Sequence, residues 1–368
     1  MSLLRRAVVA LAATSASFAG MSLTAAVASA APDPGAVYVL GNQPSGNRVL
    51  VYDRAADGTL TAAGSVDAGG VGTGGGLGSQ GAIVTDAAGR YVYAVNPGSD
   101  SIAAFRVTPN GLTRTDVAAS GGVMPTSLTV DHGLLYVLNA GGAGSIVGFT
   151  VDHGDLEQLP DSARPLSGPA TAPAQVSFTP AGDQLVVTER ATQRIDLYAV
   201  GGDGYATGPT VVESEGVTPF GFGFDNKNHL VVSEAFGGAA DASAVSTYAV
   251  GGGSLATVTA SAPTTETAAC WIAVTGNGRF AYAGNAGGSV TGYIVTPNGS
   301  LTILDADGRT AAPGTGVLDL DTSRNSRFLY GRLGNGMIGA WAIDADGHLT
   351  NLGAANGLPA GAAGIAAE

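Results

Sequence analysis

The chain has 368 residues, 58 of them glycine, and carries 29 Asp and Glu against 16 Lys and Arg, for a net charge of −13. That acidity argues against recognition of nucleic-acid backbones and anionic membranes, which need positive charge to displace counterions. A single cysteine, Cys270, excludes an intramolecular disulfide.

Residues 1–30 read as a secretory signal peptide. Arg5 and Arg6 form a positive start, an apolar run begins at Ala7, and Ala28-Ser29-Ala30 is a small-residue cleavage site before Ala31. The expected mature protein is one domain, residues 31–368, secreted or kept in the cell envelope. No later run is long enough to cross a bilayer.

The first unit, from Val37 to Ala62, holds three short strands with none ahead of it. A glycine-rich run follows, with a Gly70-x-Gly72-x-x-Gly75 match. A dinucleotide fingerprint needs a helix next, whereas Gly81 to Thr85 reads as a strand, so the run is expected to be a flexible connection between units. Residues 89–118 then show the unit clearly: Tyr91 to Val95, the turn Pro97 to Asp100, Ile102 to Val107, the turn Pro109-Asn110-Gly111, and a further strand from Leu112. Asn-Gly between apolar runs predicts a hairpin with a type I′ turn.

Two marks repeat along the chain. Strand centres fall at Tyr38, Tyr93, Tyr136, Val186, Val231, Tyr282 and Tyr330, at intervals of roughly fifty residues. Glycine turns fall at Gly58, Gly111, Gly154, Gly204, Gly253, Gly299 and Gly347. A period of this length built from short strands predicts an all-β, seven-bladed β-propeller of four-stranded blades. Inner strands are expected near Ala82–Thr85, Ser127–Val130, Gln175–Phe178, Gly221–Phe224, Trp271–Val274, Val317–Leu320 and Ala363–Ala367. The last has nothing after it and the first unit lacks an inner strand. Joining the two closes the ring and removes exposed sheet edges.

The blade pattern, Gly89-Arg90-Tyr91-Val92-Tyr93-Ala94-Val95-Asn96 and Gly278-Arg279-Phe280-Ala281-Tyr282-Ala283-Gly284-Asn285, resembles that of the lactonase-like seven-bladed propellers, of 6-phosphogluconolactonase and carboxymuconate-cyclase type. The resemblance implies Arg-His at the start of one inner strand and Asn-Glu at the end of the following strand. Here Ala174 and Gln175 stand at the first pair and Thr188-Glu189 at the second, so only the acid is kept. Gln cannot exchange a proton near neutral pH, and Ala cannot stabilise an oxyanion.

Other chemistry is sparse. His132, His153, His229 and His348 lie in or beside turns without metal-ligand spacing, and one cysteine makes no thiolate zinc site. Asp319 and Asp321 lack further oxygen ligands and read as inner-strand residues. Cys270 reads as a small buried residue. Three residues beyond each strand centre come Gly41, Asn96, Asn139, Glu189, Glu234, Asn285 and Leu333, positions that pseudo-rotation gathers about one face. They are either a polar binding mouth or strand-end residues that satisfy loop backbone.

Two functions follow as expectations. The first is a non-catalytic or degenerate module, monomeric and without cofactor or metal. It binds a small molecule, glycan or protein through Gln175, Asn96, Asn139, Glu189, Glu234, Asn285 and Trp271. The alternative is a lactone hydrolase of 6-phosphogluconolactonase type, with Glu189 or Glu234 exchanging the proton and Arg190 or Arg332 stabilising the anion.

Overall fold

The computed structural model describes residues 34–368; the leader expected at residues 1–30 lies outside them. Seven antiparallel sheets follow one another in chain order. Their inner strands are Ala363–Ala367 in blade 1, then Ile83–Thr85, Pro125–Asp131, Pro173–Phe178, Pro219–Phe224, Ala269–Val274 and Val317–Thr322 in blades 2 to 7. One 3-10 turn, Phe236–Gly238, and no α-helix occur among the described residues. Each inner strand packs on that of the next blade, and Val317–Thr322 packs on Ala363–Ala367, so the circle is complete.

Closure takes the predicted form. Ala363–Ala367 pairs antiparallel with Gly35–Leu40, placing both ends of the described chain in blade 1. Ile365 is 5% exposed there, packed with Val37, Val39 and Tyr52 of blade 1 and Tyr330 of blade 7. Asp321 of blade 7 holds the closing strand by accepting the Ala367 N–H at 2.8 Å.

In three blades the two repeating marks turn out to be partners across the join to the following blade. Tyr136 donates its hydroxyl to the Gly204 carbonyl at 2.8 Å, Tyr282 to Gly347 at 2.8 Å, and Tyr330 to Gly58 at 2.9 Å. Each tyrosine thus reaches from its own strand centre to the glycine turn of the next blade. The hydroxyl finds a partner although the ring is fully buried, as a buried tyrosine requires. The glycine is needed at that turn: a Cβ on Gly347 would strike the Phe280 ring, and its φ of 95° is left-handed.

The type I′ expectation needs correction at the second blade. Thr108 pairs with Gly111, so the loop residues are Pro109 and Asn110, and Gly111 takes a φ of 101°. Proline fixes φ near −65° and cannot enter a type I′ turn, so the chain uses a tight turn followed by a left-handed glycine. Both loop residues have positive φ at His153-Gly154 (52° and 89°) and at Gly252-Gly253 (60° and 73°).

The glycine-rich run does connect blades, but it is pinned. Asn42 accepts the Thr73 N–H at 2.9 Å and donates to the carbonyls of Gly75 at 2.6 Å and Gly361 at 3.1 Å. Gly72 packs so closely on the Asn42 backbone that no side chain would fit.

Candidate functional site

In six of the seven blades the pairing of the inner strand slips register at its mouth end. A bulge leaves a residue unpaired and re-aims its side chain. Four residues at these slips, Ala174, Phe220, Cys270 and Leu318, come together with Trp271 in one apolar cluster. The Phe220 and Trp271 rings meet edge-on at 5.4 Å, and the Arg190 guanidinium lies 5.1 Å from the centre of Phe220. Arg190 also donates from Nε to the Ala172 carbonyl at 3.1 Å. Among the described residues no carboxylate lies within ion-pair distance of it. Burial lowers its pKa, with Cys270 opposing that shift slightly.

Ser79 and Gln80 lie across the axis at this mouth. From blade 2 they bond to blades 3, 4 and 6. Ser79 Oγ donates to Thr126 O (2.8 Å), Gln80 N to Ala174 O (3.0 Å), and Trp271 Nε1 to Ser79 O (3.1 Å). The Gln80 amide pairs with Ile272 as a strand would, donating to its carbonyl at 2.6 Å and accepting its N–H at 3.0 Å. Gln175 does the same with Phe222, at 3.0 and 2.7 Å. Nothing in the sequence pattern marked this plug; only the run of glycines just before it hinted at a chain path needing close approach.

The polar residues after the strand centres occupy equivalent ends of their strands, yet all are buried and bonded to nearby loops or to neighbouring strands of their own blade. Asn96 Oδ1 accepts a hydrogen bond from Asn47 Nδ2, and its own Nδ2 donates to Ala68 O; Asn139 donates to Ser120 O; Asn285 donates to Ser289 and Thr291. Glu189 accepts from Ser167 N at 2.9 Å, Ser167 Oγ at 2.5 Å and Thr192 Oγ1. Glu234 accepts from Gly216 N at 2.9 Å, Ser261 Oγ at 2.6 Å and Ser246 Oγ. The two carboxylates share no partner. Burial raises the Glu234 pKa against these three donors. Asp196 joins Glu189 at the Ser167 N–H; burial, and after it the neighbouring Glu189 carboxylate, push Asp196 up to about 8.

Arg332 is separate from Arg190. It donates to Leu318 O at 2.9 Å beneath the mouth and lies near Asp319, which burial raises to about 8. Asp321 is raised by burial to about 7. Of the residues singled out in sequence, the mouth therefore gathers Arg190 and Trp271, with Gln175 just below. Phe220, Ser79 and Gln80 were missed. Burial pushes the Cys270 thiol up to about 12, so it is a packing residue and not a thiolate. His132 and His153 line a cavity of about 500 Å³ that also takes in Asp86 and Asp131 of the strand-linking turns, well away from the mouth cluster. His229 and His348 pair with Asp225 and with Asp305 and Asp346. No group of three or more metal-ligating side chains assembles among the described residues. No helix there is long and apolar enough to cross a membrane.

This fold and mouth define a seven-bladed propeller closed by its own two ends, with a cationic and aromatic rim over a plugged axis. Comparison with known proteins places the resemblance: the family model described as "Lactonase, 7-bladed beta-propeller" matches residues 30–164. The chain is thus similar to the lactonase-type propellers, as its blade motifs imply. Among solved structures, the periplasmic gluconolactonase of Pseudomonas aeruginosa shares the fold with a TM-score of 0.70 and 18% identity, over 90% of this chain and 98% of that one. A protein from Lactobacillus plantarum does so with a TM-score of 0.71 and 19% identity, over 90% and 98%. At such identities the likeness concerns the fold. No curated protein matches the sequence.

Proposed function

We propose that this protein is a lactonase-type propeller that binds a small anionic molecule at its mouth without hydrolysing lactones. The observation that carries the reading is Arg190: a cation free of any acidic partner among the described residues, stacked on Phe220 beside Trp271, in a chain of net charge −13. Guanidinium recognises a carboxylate or phosphate by paired hydrogen bonds, and the aromatic rings offer a face to the rest of the ligand. The absence of hydrolysis is supported by Ala174, which supplies no charge, and by Gln175, whose amide is committed to Phe222.

The alternative, hydrolysis of a cyclic ester, draws support from the gluconolactonase among the structural relatives. It would use Glu189 or Glu234 as the proton-exchanging group, with Arg190 or Arg332 facing the developing anion. Both carboxylates are buried under hydroxyl and amide donors, which favours the binding reading.

Calorimetry with gluconate and glucose, alongside an assay on gluconolactone, separates the two. Binding of gluconate and not glucose, lost by about tenfold or more in Arg190→Gln, is expected, with lactone opening at the buffer rate. Lactone opening well above that rate, abolished by Glu189→Gln, would establish the alternative. The reading also places the protein outside the cytoplasm. N-terminal sequencing should find the exported form starting at Ala31, and retention of residues 1–30 in that form would contradict it.

A further inference from the structure

Blade 6 is built differently from its neighbours, and the difference opens a cleft. Its outer strand, Leu301–Ile303, has three residues, against eight in blade 7 (Leu349–Asn356) and ten in blade 5 (Ser254–Pro263). Beyond Ile303 the chain leaves the sheet as a loop, tied back by Leu304 N–H to Gly292 O (2.9 Å), Thr291 Oγ1 to Gly308 O (2.7 Å) and Gly292 N–H to Thr310 Oγ1 (2.9 Å), and bridges Val290 again at Ala311. The resulting cleft, about 450 Å³, lies between this loop and blade 7, within the range of small-molecule sites.

Its walls are Ala311, Pro313, Leu333, Met337 and Leu349, and at its base lies Trp341. The indole rests against Gly331 and Gly339, which face each other on paired strands. A Cβ at Gly339 would collide with the ring, so two glycines make room for a tryptophan that is only 4% exposed. Burying an indole ordinarily requires a partner for its N–H. Trp341 Nε1 has none among the described residues, whereas Trp271 Nε1 is bonded to Ser79. Asn335 and Asn351, which also line the cleft, are exposed; Asn351 Oδ1 accepts from Gly353 N at 2.7 Å. No charged residue lines the cleft.

We propose that this cleft is a second ligand site, distinct from the mouth, for a neutral, mainly apolar ring carrying a carbonyl or ether oxygen. The indole N–H at the base, open to the cleft and bonded to nothing among the described residues, calls for an acceptor on the ligand. The walls call for apolar area, and an uncharged lining in an acidic protein excludes an ionic ligand. Met337 suits such a site, since its thioether adapts to ring shapes.

The test follows methionine methyl groups by NMR on the labelled full chain, with γ-nonalactone as probe. Met337 lies in the cleft and Met124 in the connection leading to the blade 3 inner strand on the mouth side, so the two signals report separately. A saturable shift of Met337 with Met124 unmoved is expected. Gluconate should leave Met337 in place, so failure of the mouth reading and failure of this one are distinguishable. Ala312→Phe, at an exposed wall position, should abolish the shift. Trp341→Phe should weaken binding by about three- to tenfold through loss of the N–H. A Met337 signal that stays still up to about 10 mM probe would overturn the proposal, since a Kd near 1 mM would be close to saturation there. So would an undiminished shift in Ala312→Phe, or unaltered affinity in Trp341→Phe.

Discussion

Replacing Ile365 by alanine measures how firmly the ring is closed. Terminal residues usually fray, and a frayed strand contributes almost nothing to stability. Ile365 lies three residues before Glu368 yet is only 5% exposed. Its side chain packs against Val37, Val39, Tyr52 and Tyr330, which belong to both blades that meet at the closure. Ile365→Ala removes three carbons, worth about 2.4 kcal/mol at roughly 0.8 kcal/mol each. The unfilled space adds to this, giving about 3 kcal/mol in total. Ile294→Ala is the control: Ile294 is 40% exposed on blade 6, and its truncation should cost no more than about 1 kcal/mol. The assay is equilibrium unfolding in urea, comparing midpoints at unchanged slope. Equal midpoints for the two variants would refute the reading of the last strand as a structural member of blade 1.

Three further outcomes are expected. Tyr282→Phe removes the hydroxyl that caps the Gly347 carbonyl and should cost about 1–2 kcal/mol in the same urea experiment; a change within error would mean that the inter-blade bond carries no net stability. Asp196, Asp319 and Asp321 all titrate above the ordinary carboxylate range when folded, so the folded state binds more protons than the unfolded one between about pH 4 and pH 7 to 8. Stability should therefore fall as pH rises through that window, by up to about 1.4 kcal/mol per pH unit for each group, and Asp319→Asn should make the melting temperature less steep in pH; a stability that rises from pH 5 to pH 8 would contradict this. Cys270, 8% exposed and pushed up to about 12, should resist iodoacetamide at pH 8 until the protein is unfolded, and rapid labelling of the native protein would show that the mouth opens.

The architecture was legible in the sequence because a propeller repeats one local problem seven times. Alternating apolar strands, a tyrosine at the strand centre and a glycine at the turn are short-range signals, and their recurrence fixed the number of blades and the place of each inner strand. Closure was legible too, since one strand was missing at the start and one was left over at the end. Arg190 and Trp271 were named from the sequence, but the rest of the mouth, Phe220 with Ser79 and Gln80, was not legible, for a physical reason. A β-bulge shifts the facing of a side chain by one position, and strict two-residue alternation cannot say where the shift falls. Spacing alone placed Glu189 and Glu234 on a ring of equivalent positions. Only the tertiary structure decided that these carboxylates turn inward, where Ser167 of a connecting loop satisfies Glu189 and Ser246 and Ser261, on the next two strands of the blade, satisfy Glu234. The plug at Ser79 and Gln80 depends on contacts with residues 192 positions away in sequence, at Trp271 and Ile272. No local pattern encodes such a meeting. It exists because ring closure brings opposite blades within reach of one amide side chain.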